Sequence, residues 1–322
     1  MSDKRSLYFP TTDKSIWSGR IDAFPQEYLF QQVKYLDLSE AKNLQQYKHG
    51  YALLGFQSDE GVRRNLGNLG AVDGPIFFRK TFAKLPIHDD FDIYDTGNVR
   101  CINGDLELAQ LELKNCVAKI LSMGLTPIVI GGGHETAWGH YQGIHQHFGE
   151  EAVGILNFDA HFDLRPLVEG KLGSSGTPFF QANEMLKADG KQLKYYCTGI
   201  QPFANTKRLF EYAQENNFEY YLAEKINSDP DDLSFIKKAI NKNNKIYVTV
   251  CLDVFKASIA PGVSAPQALG IEAEYVIKAL RLLKDSNKVV SLDIVELSPR
   301  HDVNNQTAKL ASCLLMEYLH DC

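Results

Sequence analysis

Asn157-Phe158-Asp159-Ala160-His161-Phe162-Asp163 follows the apolar run Ala152-Val153-Gly154-Ile155-Leu156. A short apolar run of this kind reads as a buried strand. At its end three metal-capable side chains stand at every second position. A strand sends residues i, i+2 and i+4 to one face, so Asp159, His161 and Asp163 are predicted to converge on one point. Two carboxylates and an imidazole suit a hard or borderline divalent cation. The blander reading is an acidic strand end that caps the next helix, with His161 merely packed.

The strand at 152–158 has company on both sides. Tyr51-Ala52-Leu53-Leu54-Gly55-Phe56 and Thr126-Pro127-Ile128-Val129-Ile130 read as buried strands. So do the runs 195–200, 220–223, 245–254 and 288–295. Helical patterns at 105–123, 136–148, 206–216, 231–243, 272–285 and 305–320 separate or follow them. The first carries an apolar stripe through Leu106, Leu108, Leu111, Leu113, Val117, Ile120 and Leu121, and Gly124 stops it. Strands alternating with helices predict an α/β chain: a single three-layer α/β/α domain on a mainly parallel sheet. Residues 1–45 show no clear period and read as an N-terminal extension packed on the main domain, residues 46–322. The segment 57–75 reads as a long polar loop carrying Arg63 and Arg64, and long loops in compact domains are often functional.

The 322 residues are ample for a large core, with 44% hydrophobic and 23% charged residues. A net charge of −6 argues against nucleic acid, which needs a concentrated basic face. No apolar stretch reaches the ~20 residues of a membrane span, and Met1-Ser2-Asp3-Lys4-Arg5 lacks the apolar core of a secretory signal. The six cysteines, at 101, 116, 197, 251, 313 and 322, are dispersed without a C-x-x-C pair. That predicts reduced thiols and a cytoplasmic protein.

Three further strand ends carry polar groups. His134 follows Gly131-Gly132-Gly133, where glycine lets the backbone come close to a site. The lysine-bearing element of a phosphate-binding loop is absent there. Cys251 and Asp253 share a face by the two-residue period, and Asp293 and Glu296 close the run at 288–295. Sheets of this class bind ligands at the carboxyl ends of their strands. Four such ends with ionisable groups supply enough ligands for two metal ions with open positions.

With those residues in hand, the chain resembles the arginase (ureohydrolase) family. The resemblance is carried by Gly131-Gly132-Gly133-His134-Glu135, Asp159-Ala160-His161-Phe162-Asp163 and the strands of Asp253 and Glu296. Asn157 to Arg165, Ser174-Ser175-Gly176-Thr177-Pro178-Phe179, 260–266, 58–65 and 296–302 are similar to its formimidoylglutamase branch, and the likeness spans roughly residues 50 to 320. The resemblance implies an arginase-like fold and hydrolysis of a linear amidine, N-formimidoyl-L-glutamate, to L-glutamate and formamide. Agmatinase or arginase activity, or a degenerate non-catalytic member, stand as alternatives. It further implies a two-manganese centre held by His134, Asp159, His161, Asp163 and Asp253. Cys251 takes the place of a bridging Asp, so the second ion is left open. Glu296 is implied to orient the amidinium, and Asp163 to deliver the proton to the leaving amine. Arg64, Arg165 and Arg300 adjoin these motifs and are candidates for the substrate's carboxylates, because Arg pairs with carboxylate bidentately. Relatives of this kind are often trimers or hexamers, which leaves a homo-oligomer open.

Overall fold

In a computed structural model, residues 6–11, 13–41, 47, 50–149 and 151–320 are described. The polar N-terminus 1–5 and Cys322 lie outside them, as do parts of the extension's last stretch. Ten strands form one sheet: β1 (Tyr8–Phe9), β2 (Lys34–Tyr35), β3 (Tyr51–Gln57), β4 (Ile93–Arg100), β5 (Thr126–Ile130), β6 (Val153–Phe158), β7 (Tyr195–Ile200), β8 (Glu219–Leu222), β9 (Lys245–Cys251) and β10 (Val289–Val295). Their order is β1-β4-β3-β5-β10-β9-β6-β7-β8, with β2 also on β4. Every pairing is parallel except that of β1 with β4. The extension therefore contributes two short strands to one edge of the sheet.

Helices cover both faces, because strands buried on two sides are apolar on both. One layer holds α3 (Gly74–Phe82), α8 (Ala223–Ser228), α9 (Ser234–Lys242), α10 (Ala273–Asp285) and α11 (Gln306–Leu319), packed on Leu53, Ile128, Leu156, Val248 and Leu292. The other holds α4 (Leu106–Ser122), α5 (Thr136–Phe148), α6 (Pro178–Ala188) and α7 (Lys207–Glu215), packed on Leu54, Val129, Ile155 and Tyr247. This is the expected three-layer α/β/α domain.

Several local readings are corrected. The presumed loop at 57–75 contains α2 (Glu60–Arg64), and α3 begins at its end with Pro75 in the first turn, where its missing N–H costs nothing. Strand β4 escaped detection because Asp95, Thr96, Gly97 and Asn98 dilute its apolar pattern. On α4 the buried face runs through Leu106, Ala109, Leu113, Val117 and Ile120, whereas Leu108 and Leu111 are exposed. β6 stops at Phe158, short of Asp159, His161 and Asp163, and β9 stops at Cys251, short of Asp253.

Candidate metal centre

The four strands that carry the predicted ligands, β5, β10, β9 and β6, are consecutive neighbours in the sheet. Parallel pairing puts all four carboxyl ends on one edge, and their loops meet there. Gly131-Gly132-Gly133 lets the β5 loop cross between its neighbours: a Cβ at Gly132 would lie 1.6 Å from the Ser58 carbonyl oxygen. The loops of β5 and β10 are stitched together, Gly131 N–H donating to Ile294 O and Glu296 N–H to Gly132 O, both at 2.8 Å. The His134 amide then donates to Glu296 Oε1 at 2.8 Å, and Ser264 donates to its other oxygen.

Asp159, His161 and Asp163 do come together, though not as a strand. They occupy an irregular turn after β6, with Ala160 and Phe162 buried beneath them. The His161 amide donates to Asp159 Oδ1 at 2.7 Å. Asp163 has φ 50° and Glu296 φ 68°, left-handed conformations uncommon outside glycine. Strain of this sort gathers at sites where the surroundings over-determine a side chain's aim. Asp253 likewise leaves β9 through a 3-10 turn, Leu252–Val254, instead of continuing the strand.

The ligand atoms form two overlapping trios. His134, Asp159 and Cys251 offer atoms within 4.8 Å of one another, as do Asp159, His161 and Asp253. Asp159 belongs to both. His134 Nδ1 lies 3.0 Å from Asp159 and 2.9 Å from Asp163. Neither contact is an aligned hydrogen bond, and His134 Nδ1 and Asp253 Oδ1 are buried without a partner. Atoms so arranged face a common point, as ligands do, instead of pairing as donor and acceptor. His161 Nδ1 sits 3.1 Å from Asp253 and 3.5 Å from Asp159.

Electrostatics point the same way. Burial disfavours charge on His134 and His161, but the facing carboxylates outweigh it and push both well up. Asp159 is held below the usual range, because His134 and His161 outweigh its burial. Burial, with Asp159 beside it, raises Asp163, and burial raises Asp253 and the Cys251 thiol. Glu296 is pushed up to about 7, chiefly by burial. Too many carboxylates share one enclosed place, so protons are retained on them and on the imidazoles. A divalent cation would replace those protons. The donor set fits manganese except for the soft thiol of Cys251.

The cavity over these groups has a volume of about 310 Å³, lined by His134, His161, Asp163, Cys251, Asp253 and Glu296 and walled by Asn65, Arg165, Ser175 and Ser264. Of the three arginine candidates only Arg165 reaches it. Arg64 is tied to Glu60 at 2.9 Å and Glu107 at 2.5 Å, and Arg300 lies exposed on the 3-10 turn Pro299–His301 outside the lining. Other polar supports were not anticipated. Asn157 donates to Asp159 at 3.0 Å, Thr249 meets His134 Nε2 at 3.0 Å, and Ser264 holds Glu296. For Asn157 and Thr249 a signal existed: each stands two residues before a candidate ligand, Asp159 just past the end of β6 and Cys251 at the end of β9.

Comparison with known proteins matches residues 49–320 to the arginase family. Formimidoylglutamase of Legionella pneumophila strain Paris is 42% identical, covering 99% of each chain. That of Geobacillus sp. strain WCH70 is 41% identical over 95% of this chain and 94% of its own. The crystal structure of Trypanosoma cruzi formiminoglutamase with Mn2+ superposes with a TM-score of 0.78 at 25% identity, covering 85% of this chain and 94% of that one. On the family match and the full-length identity, the chain belongs to the arginase family.

Proposed function

We propose that the protein is a manganese-dependent formimidoylglutamase that hydrolyses N-formimidoyl-L-glutamate to L-glutamate and formamide. The observation that carries this reading is the pair of ligand trios sharing Asp159, with Glu296 facing the same cavity. The names of relatives 42% and 41% identical over nearly the whole chain support it. The cysteines the structure describes are free thiols, which suits a cytosolic enzyme.

His134, Asp159, His161, Asp163, Cys251 and Asp253 would hold the metal, with Asp159 common to both ions. Divalent metal held there would supply the nucleophile, by acidifying water so that hydroxide is available at neutral pH. Glu296 binds the planar amidinium. Its two oxygens already accept from the His134 amide and Ser264, which fixes the plane of the carboxylate. The water oxygen adds to the amidinium carbon, and the carbon–nitrogen bond to glutamate breaks as that adduct collapses to formamide; the amine leaves with the bonding pair and needs a proton. Asp163, which lines the cavity 2.9 Å from His134 Nδ1, is placed to pass the proton of the attacking water to that amine. Arg165 at the mouth takes a substrate carboxylate; a Cβ at Gly176 would lie 2.9 Å from its Cδ, so that glycine leaves room for the side chain. Agmatine, a cation without a carboxylate, gains nothing from Arg165 and is disfavoured. Formamide release from N-formimidoyl-L-glutamate, set against urea release from arginine and agmatine with and without Mn2+, tests the assignment. Urea as the only product would overturn it.

A further inference from the structure

The helix α5 side of β9 and β10 carries a polar column that the reaction does not use. Along β9, Tyr247, Thr249 and Cys251 alternate with Ile246, Val248 and Val250, so the first three share a face. β10 sets Ser291 beside Tyr247 and Asp293 beside Thr249, and α5 lays His140 over them. Tyr247, Thr249, Ser291, Asp293 and His140 are each 0% exposed. Five polar side chains in an apolar layer are costly unless they bond to one another, and an apolar column would pack as well.

Their hydrogen bonds run in one direction. Ser291 donates its single hydroxyl proton to Pro127 O at 3.0 Å. The 2.6 Å contact between Ser291 Oγ and His140 Nε2 is therefore donated by the imidazole. His140 Nδ1 lies 2.7 Å from Asp293 Oδ2, which as a carboxylate accepts. His140 thus bridges Ser291 and Asp293. From the other side the Tyr247 hydroxyl donates to the same carboxylate oxygen. Thr249 is next on the same face of β9 and stands beside Asp293 on β10. Its Oγ1 lies 3.0 Å from His134 Nε2. With Nε2 engaged by that hydroxyl, Nδ1, which faces Asp159 and Asp163, is the nitrogen turned toward the candidate metal position.

We infer that Asp293, braced by His140, is a positioning residue that acts on the ligand His134 through Tyr247 and Thr249. The relay sets the tautomer and ring plane of His134 and strengthens it as a ligand, as outer partners of metal-bound histidines do. This inference rests on the proposal that the site holds metal. The test is the affinity of the full-length protein for Mn2+ alone, by titration against a competing chelator, beside the melting temperature of the metal-free protein. Tyr247→Phe keeps the ring and removes one link; Thr249→Val removes the next; Thr249→Ser keeps the hydroxyl.

The first two should each weaken Mn2+ binding by about 10- to 100-fold, and Thr249→Ser should bind as the parent does. The double variant should lose no more than the worse single, because both changes cut one path. Single variants that bind like the parent, or losses that multiply in the double, would overturn the relay while leaving the metal reading intact. Parent protein that takes up no Mn2+ would overturn both. If Tyr247→Phe does not fold, the contrast between Val and Ser at 249 decides alone.

Discussion

Arg79, on α3, and Asp159, just past the end of β6, are both buried charges beside the sheet, yet their surroundings differ in completeness. Arg79, 1% exposed, gives the Nε–Nη2 edge of its guanidinium to the two oxygens of Asp95 at 3.1 and 2.8 Å. Its remaining donors go to Gly97 O, Asn98 and Pro75 O. Asp95 also accepts from Trp17 Nε1 at 2.7 Å and from the Gly97 amide at 3.0 Å. Around Asp159 the ledger stays open: His134 Nδ1 and Asp253 Oδ1 lack partners, and four carboxylates face two imidazoles and a thiol. A satisfied network holds structure together, here the N-terminal extension against α3 and β4. An unsatisfied one of the same burial marks a place for something else.

Breaking each network should therefore cost different things. Asp159→Asn removes the ligand common to both trios. Its kcat/KM should fall by at least ~10³, beyond the 10- to 100-fold of an outer partner, and metal per chain after dialysis should fall with it. Retained Mn2+ in that variant would erase the distinction drawn above. Arg79→Met instead leaves Asp95 buried and uncompensated. It should lower unfolding free energy by about 3–5 kcal/mol, read from denaturant midpoints, while folded protein keeps its Mn2+ content.

The two networks also differ in how far the chain revealed them. The candidate ligands are visible because each stands next to an apolar run, at a spacing whose chemistry has few other uses. Asp159, His161 and Asp163 were predicted to converge by strand alternation, and they converge by a turn with a left-handed Asp163. Alternation persists locally, with Ala160 and Phe162 turned inward, so the right outcome followed from a partly wrong cause. The Arg79 network was invisible, because Asp95 and Gly97 make β4 look like a loop and Arg79 lies in an unread helix. Arg64 misled for a physical reason: adjacency to a motif says nothing about direction, and Glu60 and Glu107 turn it away from the cavity. Partners distant in sequence, such as Ser264 on Glu296, need the fold to be seen.

An open network should also respond to what fills it. Mn2+ at 100 times its dissociation constant should stabilise the protein by about 2.7 kcal/mol by mass action, and a chelator should reverse this. The same addition should do nothing for the Arg79 network itself, so the gain should be equal in Arg79→Met. Cys251→Asp, which restores a hard ligand, should keep or enlarge the gain. Loss of the metal-dependent gain in Cys251→Asp would show that the thiolate itself is required.

Glu135 lies between the two cases. It accepts from Ser58 Oγ at 2.9 Å and from the Gly61 amide at 3.0 Å, while its other oxygen has no partner. Burial above all, then the neighbouring Glu296, pushes it up to about 8 from the ordinary 4.5. A carboxyl raised on folding favours the native state below its unfolded value, and that contribution is lost as pH climbs through the folded one. Between pH 4.5 and 8 Glu135 should thus subtract stability with rising pH, by at most about 1.4 kcal/mol per unit. Glu135→Gln keeps shape and neutrality, so below pH 4.5 it should lie within about 0.5 kcal/mol of the parent, and near pH 6 it should be the more stable by up to about 2 kcal/mol. The difference between the two pH profiles, taken on metal-free protein, isolates this group from Glu296. A variant much less stable at pH 6, with an unchanged slope, would mean that Glu135 is ionised and paired, and that it belongs with Arg79 and not with Asp159.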